Sequence, residues 1–153
     1  LFAKKNLKGL IDLDGSGSIT INDAKLLFDS DDFDSDGDGM SNFMERAFGG
    51  DSLSSDAKTT LPRSIRQKDG KQRITFQQYS TEYNSEGIEY IVETSTDLRT
   101  WTTTGTTQVD LNGGDTGSGI DIGGGMERVL WETSGTASSK GGKQFLRVRV
   151  RTK

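Results

Sequence analysis

Residues 34–45 constrain this chain more than any other stretch: Asp-Ser-Asp-Gly-Asp-Gly-Met-Ser-Asn-Phe-Met-Glu. Aspartates alternate at Asp34, Asp36 and Asp38, Gly39 follows them, and Glu45 closes the run. Carboxylates crowded into so short a span repel one another unless a cation sits among them. Counting Asp34 as position 1 puts acids at positions 1, 3 and 5, glycine at 6 and glutamate at 12, which is the ligand spacing of a calcium loop. Calcium is a hard cation that takes about six to eight oxygens, so carboxylates must converge on it from one short segment. Gly39 permits the positive φ needed where the chain turns sharply back. Met40 then offers its backbone carbonyl from position 7, Asn42 stands at position 9, and Glu45 supplies both oxygens from the start of a helix. Other registers fail on chemistry. Starting at Asp32 puts Phe43 at position 12, and starting at Asp29 puts Phe33 at position 5.

A softer copy precedes this loop. Residues 12–23 place Asp12, Asp14, Ser16, Gly17, Ser18, Thr20 and Asp23 at positions 1, 3, 5, 6, 7, 9 and 12, with apolar Ile19 at position 8. Ser16 replaces a carboxylate, and Asp23 is one carbon shorter than glutamate, so a second and weaker calcium site is expected here. The two loops start 22 residues apart, which leaves room only for a truncated connecting helix. Short exit helices are expected over residues 24–28 and 44–48, the second stopped by Gly49 and Gly50. Leu7, Leu10 and Ile11 recur at helical spacing ahead of the first loop. Leu10, Ile11, Leu26, Leu27, Phe28, Phe43, Met44 and Phe48 are expected to pack between the loops.

The 153 residues include no cysteine and no histidine, which excludes zinc, iron–sulfur and thiol chemistry and any disulfide framework. No apolar run approaches the ~18 residues of a membrane helix. The chain opens on Leu1 without a signal peptide and reads as a piece of a larger parent chain. Its net charge of −4 is unevenly spread. Residues 1–60 carry twelve acids and six bases, whereas residues 61–153 carry eleven acids and thirteen bases. Composition shifts from Asp-rich to Thr/Gly/Arg-rich near Pro62, so a boundary is expected near residues 55–62, between a paired calcium-binding unit (1–58) and a second domain (62–153). A chain of this net charge is not expected to bind nucleic acid.

From Pro62 onward the pattern is that of strands. Residues 73–79 alternate, with Ile74 and Phe76 on one face. In 88–94, Ile88, Tyr90 and Val92 face inward while Glu89 and Glu93 face out. Segments 100–103, 107–111, 126–131 and 144–152 complete the set, the last with Arg147, Arg149 and Arg151 opposite Leu146, Val148 and Val150. Short strands with glycine-rich turns indicate a small antiparallel β-sandwich, and with the helical calcium unit an α+β chain in two parts. Residues 113–125 hold seven glycines and are expected to form a loop. Catalysis is not expected. There is no histidine or cysteine base, and Glu89 and Glu93 lie about 13 Å apart along a strand, too far for a glycosidase pair. Trp101, Trp131 or the arginine stripe leave a carbohydrate- or surface-binding role as the alternative to a spacer, with a polysaccharide or cell-surface component as partner.

The loops together resemble a truncated EF-hand pair. Residues 12–28, with Asp23 followed by Ala-Lys-Leu-Leu, resemble a dockerin-type repeat; residues 34–48 resemble the bacterial thrombospondin type 3-like repeat, Asp-x-Asp-x-Asp-Gly-Leu-Ser/Thr-x-x-x-Glu. Residues 90–101, Tyr-Ile-Val-Glu-Thr-Ser-Thr-Asp-Leu-Arg-Thr-Trp, are similar to a signature near the C-termini of large secreted proteins of Verrucomicrobia-like bacteria. Residues 144–148 are similar to the closing strand of that domain. The resemblance implies a calcium-stabilised spacer or attachment module at the C-terminal end of a secreted or cell-surface bacterial protein, found extracellularly, with Ca2+ in both loops. The two loops differ from each other, whereas the repeats of a true dockerin are near-identical.

Overall fold

The computed structural model describes residues 15–18, 21–66, 69–111, 117–138 and 141–153, without the side chains of residues 23, 24, 27, 28 and 66. Among the described residues, three short helices come first: α1 (Ile21–Phe28), α2 (Asn42–Phe48) and α3 (Ala57–Thr60). Seven strands follow among the described residues: β1 (Arg63–Arg66), β2 (Gln72–Tyr79), β3 (Ile88–Ser95), β4 (Thr106–Val109), β5 (Ile120–Gly123), β6 (Met126–Thr133) and β7 (Phe145–Thr152). One sheet runs in the order β1-β2-β6-β4, with β5 also on β6; the other is the pair β3-β7. Every pairing is antiparallel. The fold is therefore β-rich with a small helical part.

The strongest alternations in the sequence became the long strands β2, β3, β6 and β7. Segment 100–103 forms no strand. Asp97 Oδ1 accepts backbone N–H bonds from Arg99 and Thr100, both at 2.8 Å, which curls the chain into a turn and leaves only the bridge between Thr94 and Thr102. Strands β1 and β5 went unpredicted. Ile65, Ile120 and Ile122 are exposed, so no buried face marks these edge strands, and pairing with β2 and β6 creates them. The expected boundary stretch holds α3, whose Ala57 and Thr60 are buried. The N-terminal helix expected around Leu7, Leu10 and Ile11 lies outside the described residues.

One hydrophobic cluster joins the two sheets to the helices. Ile74 and Phe76 of β2, Val129 of β6 and Val92 of β3 pack with Met40, Phe48 of α2 and Ala57 of α3. Met44, Tyr90, Trp131, Leu146, Val148 and Val150 close around them. The apolar side of α2 thus turns onto the sheets, and Leu26 of α1 is 47% exposed. Phe48 meets Phe76 edge-on with ring centres 5.9 Å apart and Tyr90 at 6.1 Å. Offset and edge-to-face pairs of this kind add to what burial alone contributes. The Tyr90 hydroxyl donates to the Ala47 carbonyl at 2.5 Å and accepts the Tyr79 N–H at 3.2 Å. Burial pushes this hydroxyl up to about 12, so it stays a donor at any ordinary pH.

The outer face of β3-β7 is ionic. Register sets Glu93 opposite Arg147 and Glu89 opposite Arg151. Glu93, expected to face solvent, is 7% exposed, because Arg147 and Arg149 lie over it at 2.8 and 3.5 Å. Burial alone raises its carboxyl, but hydrogen bonds from the two arginines outweigh burial and hold it below the ordinary 4.5. Arg147 also stacks on the Trp101 ring, 4.0 Å from its centre. A lowered folded value means a contribution present above the unfolded carboxyl's range and lost as pH falls through the folded one. Glu93→Gln should therefore lower stability by about 1–2 kcal/mol at neutral pH. Denaturant midpoints measured in strong acid should show the difference vanish; a constant difference would contradict this account.

Candidate metal centre

The loop builds itself from its own aspartates. Asp34 Oδ1 accepts N–H bonds from Gly37 at 2.8 Å and Asp38 at 3.2 Å, and its Oδ2 accepts Gly39 N–H at 3.0 Å. Asp36 and Asp38 each accept from the residue two places on, Asp38 and Met40, at 3.0 Å. Gly39 adopts φ +99°, a conformation that a side chain disfavours. Ser41 caps α2 through Met44 N–H, and Gly49 ends it in the left-handed conformation. Glu45 is carried on the first turn of α2.

These elements bring together two groups of carboxylate oxygens, each within 4.8 Å: Asp34, Asp36 and Asp38, and Asp38, Glu45 and Asp56. That span is about twice a Ca–O distance of 2.3–2.6 Å, so oxygens across a bound calcium would stand that far apart. Glu45 is 0% exposed, and among the described residues neither of its carboxylate oxygens has a hydrogen-bond partner; Asp36 Oδ2 is likewise buried without one. A buried carboxylate in that state is unfavourable on its own. Burial first, then the charges of Asp36, Asp38, Asp56 and Asp34, push the Glu45 carboxyl up to about 7. Burial and its neighbours Asp38 and Asp34 likewise push Asp36 up. Asp38 is held below the ordinary value, chiefly by the Ala57 N–H bond. All the candidate donors are hard oxygens, which suits calcium.

The other expected ligands fare differently. Met40 follows the loop turn, and its side chain, 2% exposed, joins the core cluster. The Asn42 amide is engaged as a strut: Nδ2 donates to the Ser30 carbonyl and Oδ1 accepts the Ser35 hydroxyl, both at 2.8 Å. In the first loop, Asp12, Asp14 and Thr20 lie outside the described residues. Asp23 lies in α1 with its side chain outside that description. Ser16 and Ser18 are exposed, and Ser16 Oγ donates to the Ser18 carbonyl at 3.0 Å.

Sequence reasoning missed Asp56. It stands eleven residues beyond Glu45, in the stretch read as linker, where the twelve-position template says nothing. An aspartate directly before Ala-Lys-Thr-Thr was the available signal, since acids are favoured at helix starts.

The chain matches no family model, no curated protein and no solved structure. Its functional reading therefore rests on its own residues. Among the described residues, no helix is long and apolar enough to cross a membrane.

Proposed function

We propose that this chain is a non-catalytic calcium-binding module near the C-terminal end of a larger secreted or cell-surface bacterial protein, in which Ca2+ held by residues 34–45 acts as a permanent structural staple. The observation that carries the reading is Glu45, a carboxylate fully removed from solvent, with both oxygens unpartnered among the described residues, beside three loop aspartates. A divalent cation supplies the missing partner. Magnesium holds its waters tightly and favours few protein carboxylates, so this acid-rich loop favours calcium. The helix α2 that carries Glu45 has seven residues and turns its apolar side onto the sheets, which suits a spacer and offers no groove for a signalling partner. Two antiparallel sheets contributing to one apolar cluster support a β-sandwich as the rigid end of the module. The first loop, with fewer carboxylates, would hold a second and weaker Ca2+.

Calorimetric titration of the demetallated protein tests the reading. The expected result is a tighter site that Glu45→Gln weakens by roughly tenfold or more, through loss of a charged bidentate ligand. A variant that binds calcium as the parent does would remove residues 34–45 as the site.

A further inference from the structure

We propose that Asp56, from outside the twelve-residue loop, is a direct ligand of the bound cation, so that the ion closes residues 46–56 into a clasp. This rests on the calcium reading of residues 34–45. The spacing of the loop alone would place its last ligand at Glu45 and leave the chain beyond α2 free of the metal. Instead, the structure sets a carboxylate oxygen of Asp56 within 4.8 Å of oxygens from both Asp38 and Glu45. Glu45 is the buried group whose two oxygens have no partner among the described residues, so this second triad converges on a position where a cation is needed.

Asp56 is also held in place. Its Oδ1 accepts the Thr60 hydroxyl at 2.9 Å, and its Oδ2 accepts Asp51 N–H at 3.3 Å. The next residue is tied to the loop itself, since Ala57 N–H donates to Asp38 Oδ2 at 2.6 Å. Gly50 makes the approach sterically feasible. A Cβ there would meet Asp56 Oδ1 and Thr60 Cγ2 at 3.1 Å and Glu45 Cβ at 3.2 Å, so a side chain at this position would press on both acids and force them to give by a few tenths of an ångström. The two triads share Asp38, and on this proposal Asp34, Asp36, Asp38, Glu45 and Asp56 together surround one cation. Their excess negative charge is unfavourable in the empty site and should steepen the dependence of affinity on each of them.

The test uses the full chain carrying Asp12→Asn and Asp14→Asn, so that the first loop does not contribute. Calcium affinity is measured by chelator competition for this parent and for Glu45→Gln, Asp56→Asn and Thr60→Val. The expected result is a loss of roughly tenfold or more for Asp56→Asn, with Thr60→Val within about twofold of the parent. Terbium(III) bound to the same site counts inner-sphere waters from its luminescence decay in H2O and D2O. Asp56→Ala should add one water, which a merely structural role would not do. If Glu45→Gln weakens binding while Asp56→Asn does not, or Asp56→Ala adds no water, the Asp56 assignment falls and the loop reading stands. If Glu45→Gln matches its parent, the loop reading falls first and the assignment with it.

Discussion

Calcium at a hundredfold excess over its dissociation constant should raise the thermal midpoint of the demetallated chain by roughly 5–10 °C. Binding to the native form alone contributes about 2.7 kcal/mol under that condition. A chain of this size shifts by about 2–4 °C per kcal/mol. The shift should be visible in the near-ultraviolet circular dichroism of the sheets as well as in helical signals. Met40 and Phe48, on either side of Glu45, share their cluster with Ile74, Phe76, Val92 and Val129. On the proposed calcium reading, freeing the loop from a cation should loosen contacts that the sheets also use. A sheet signal that melts at one temperature with and without calcium would show the two to be uncoupled.

The second large effect is expected at Phe48. It is 0% exposed and touches both Phe76 and Tyr90. Phe48→Ala should cost about 3–5 kcal/mol, the range for truncating a buried aromatic. Phe48→Leu, which keeps most of the volume, should cost less. Because Phe48 lies one turn along α2 from Glu45, Phe48→Ala should also weaken calcium binding without removing a ligand. Urea midpoints with and without calcium check both statements. If truncation lowered stability equally in both conditions, α2 would not transmit core packing to the loop.

The acidic cluster of Asp34, Asp36 and Asp38 was legible because it is local: the alternating aspartates and the turn at Gly39 fall within a few consecutive residues. The long strands were legible for a similar reason, since Ile74/Phe76 and Leu146/Val148/Val150 alternate with polar residues. What escaped was whatever two distant segments make jointly. Asp56 gains its meaning from Asp38 and Glu45, which only the folded chain brings near. Strands β1 and β5 exist through their partners and present no buried stripe of their own. Glu93 alternates as an outward residue should, yet the register of β7 lays two arginines across it. The stretch 54–60 has the composition of a linker, and only the pocket offered by the core turns Ala57 and Thr60 inward.

The Tyr90 hydroxyl described above joins the end of α2, at the Ala47 carbonyl, to the β2 backbone at Tyr79. Arg46, one residue earlier, reaches Glu86 at 2.8 Å in the turn before β3. For protein engineering the consequence concerns transplantation. The proposed calcium loop cannot be moved as a cassette ending at Gly49, because the recipient would need a hydroxyl donor for the Ala47 carbonyl and an aromatic floor for Phe48. The smallest transferable piece is the loop together with the sheets that receive its helix.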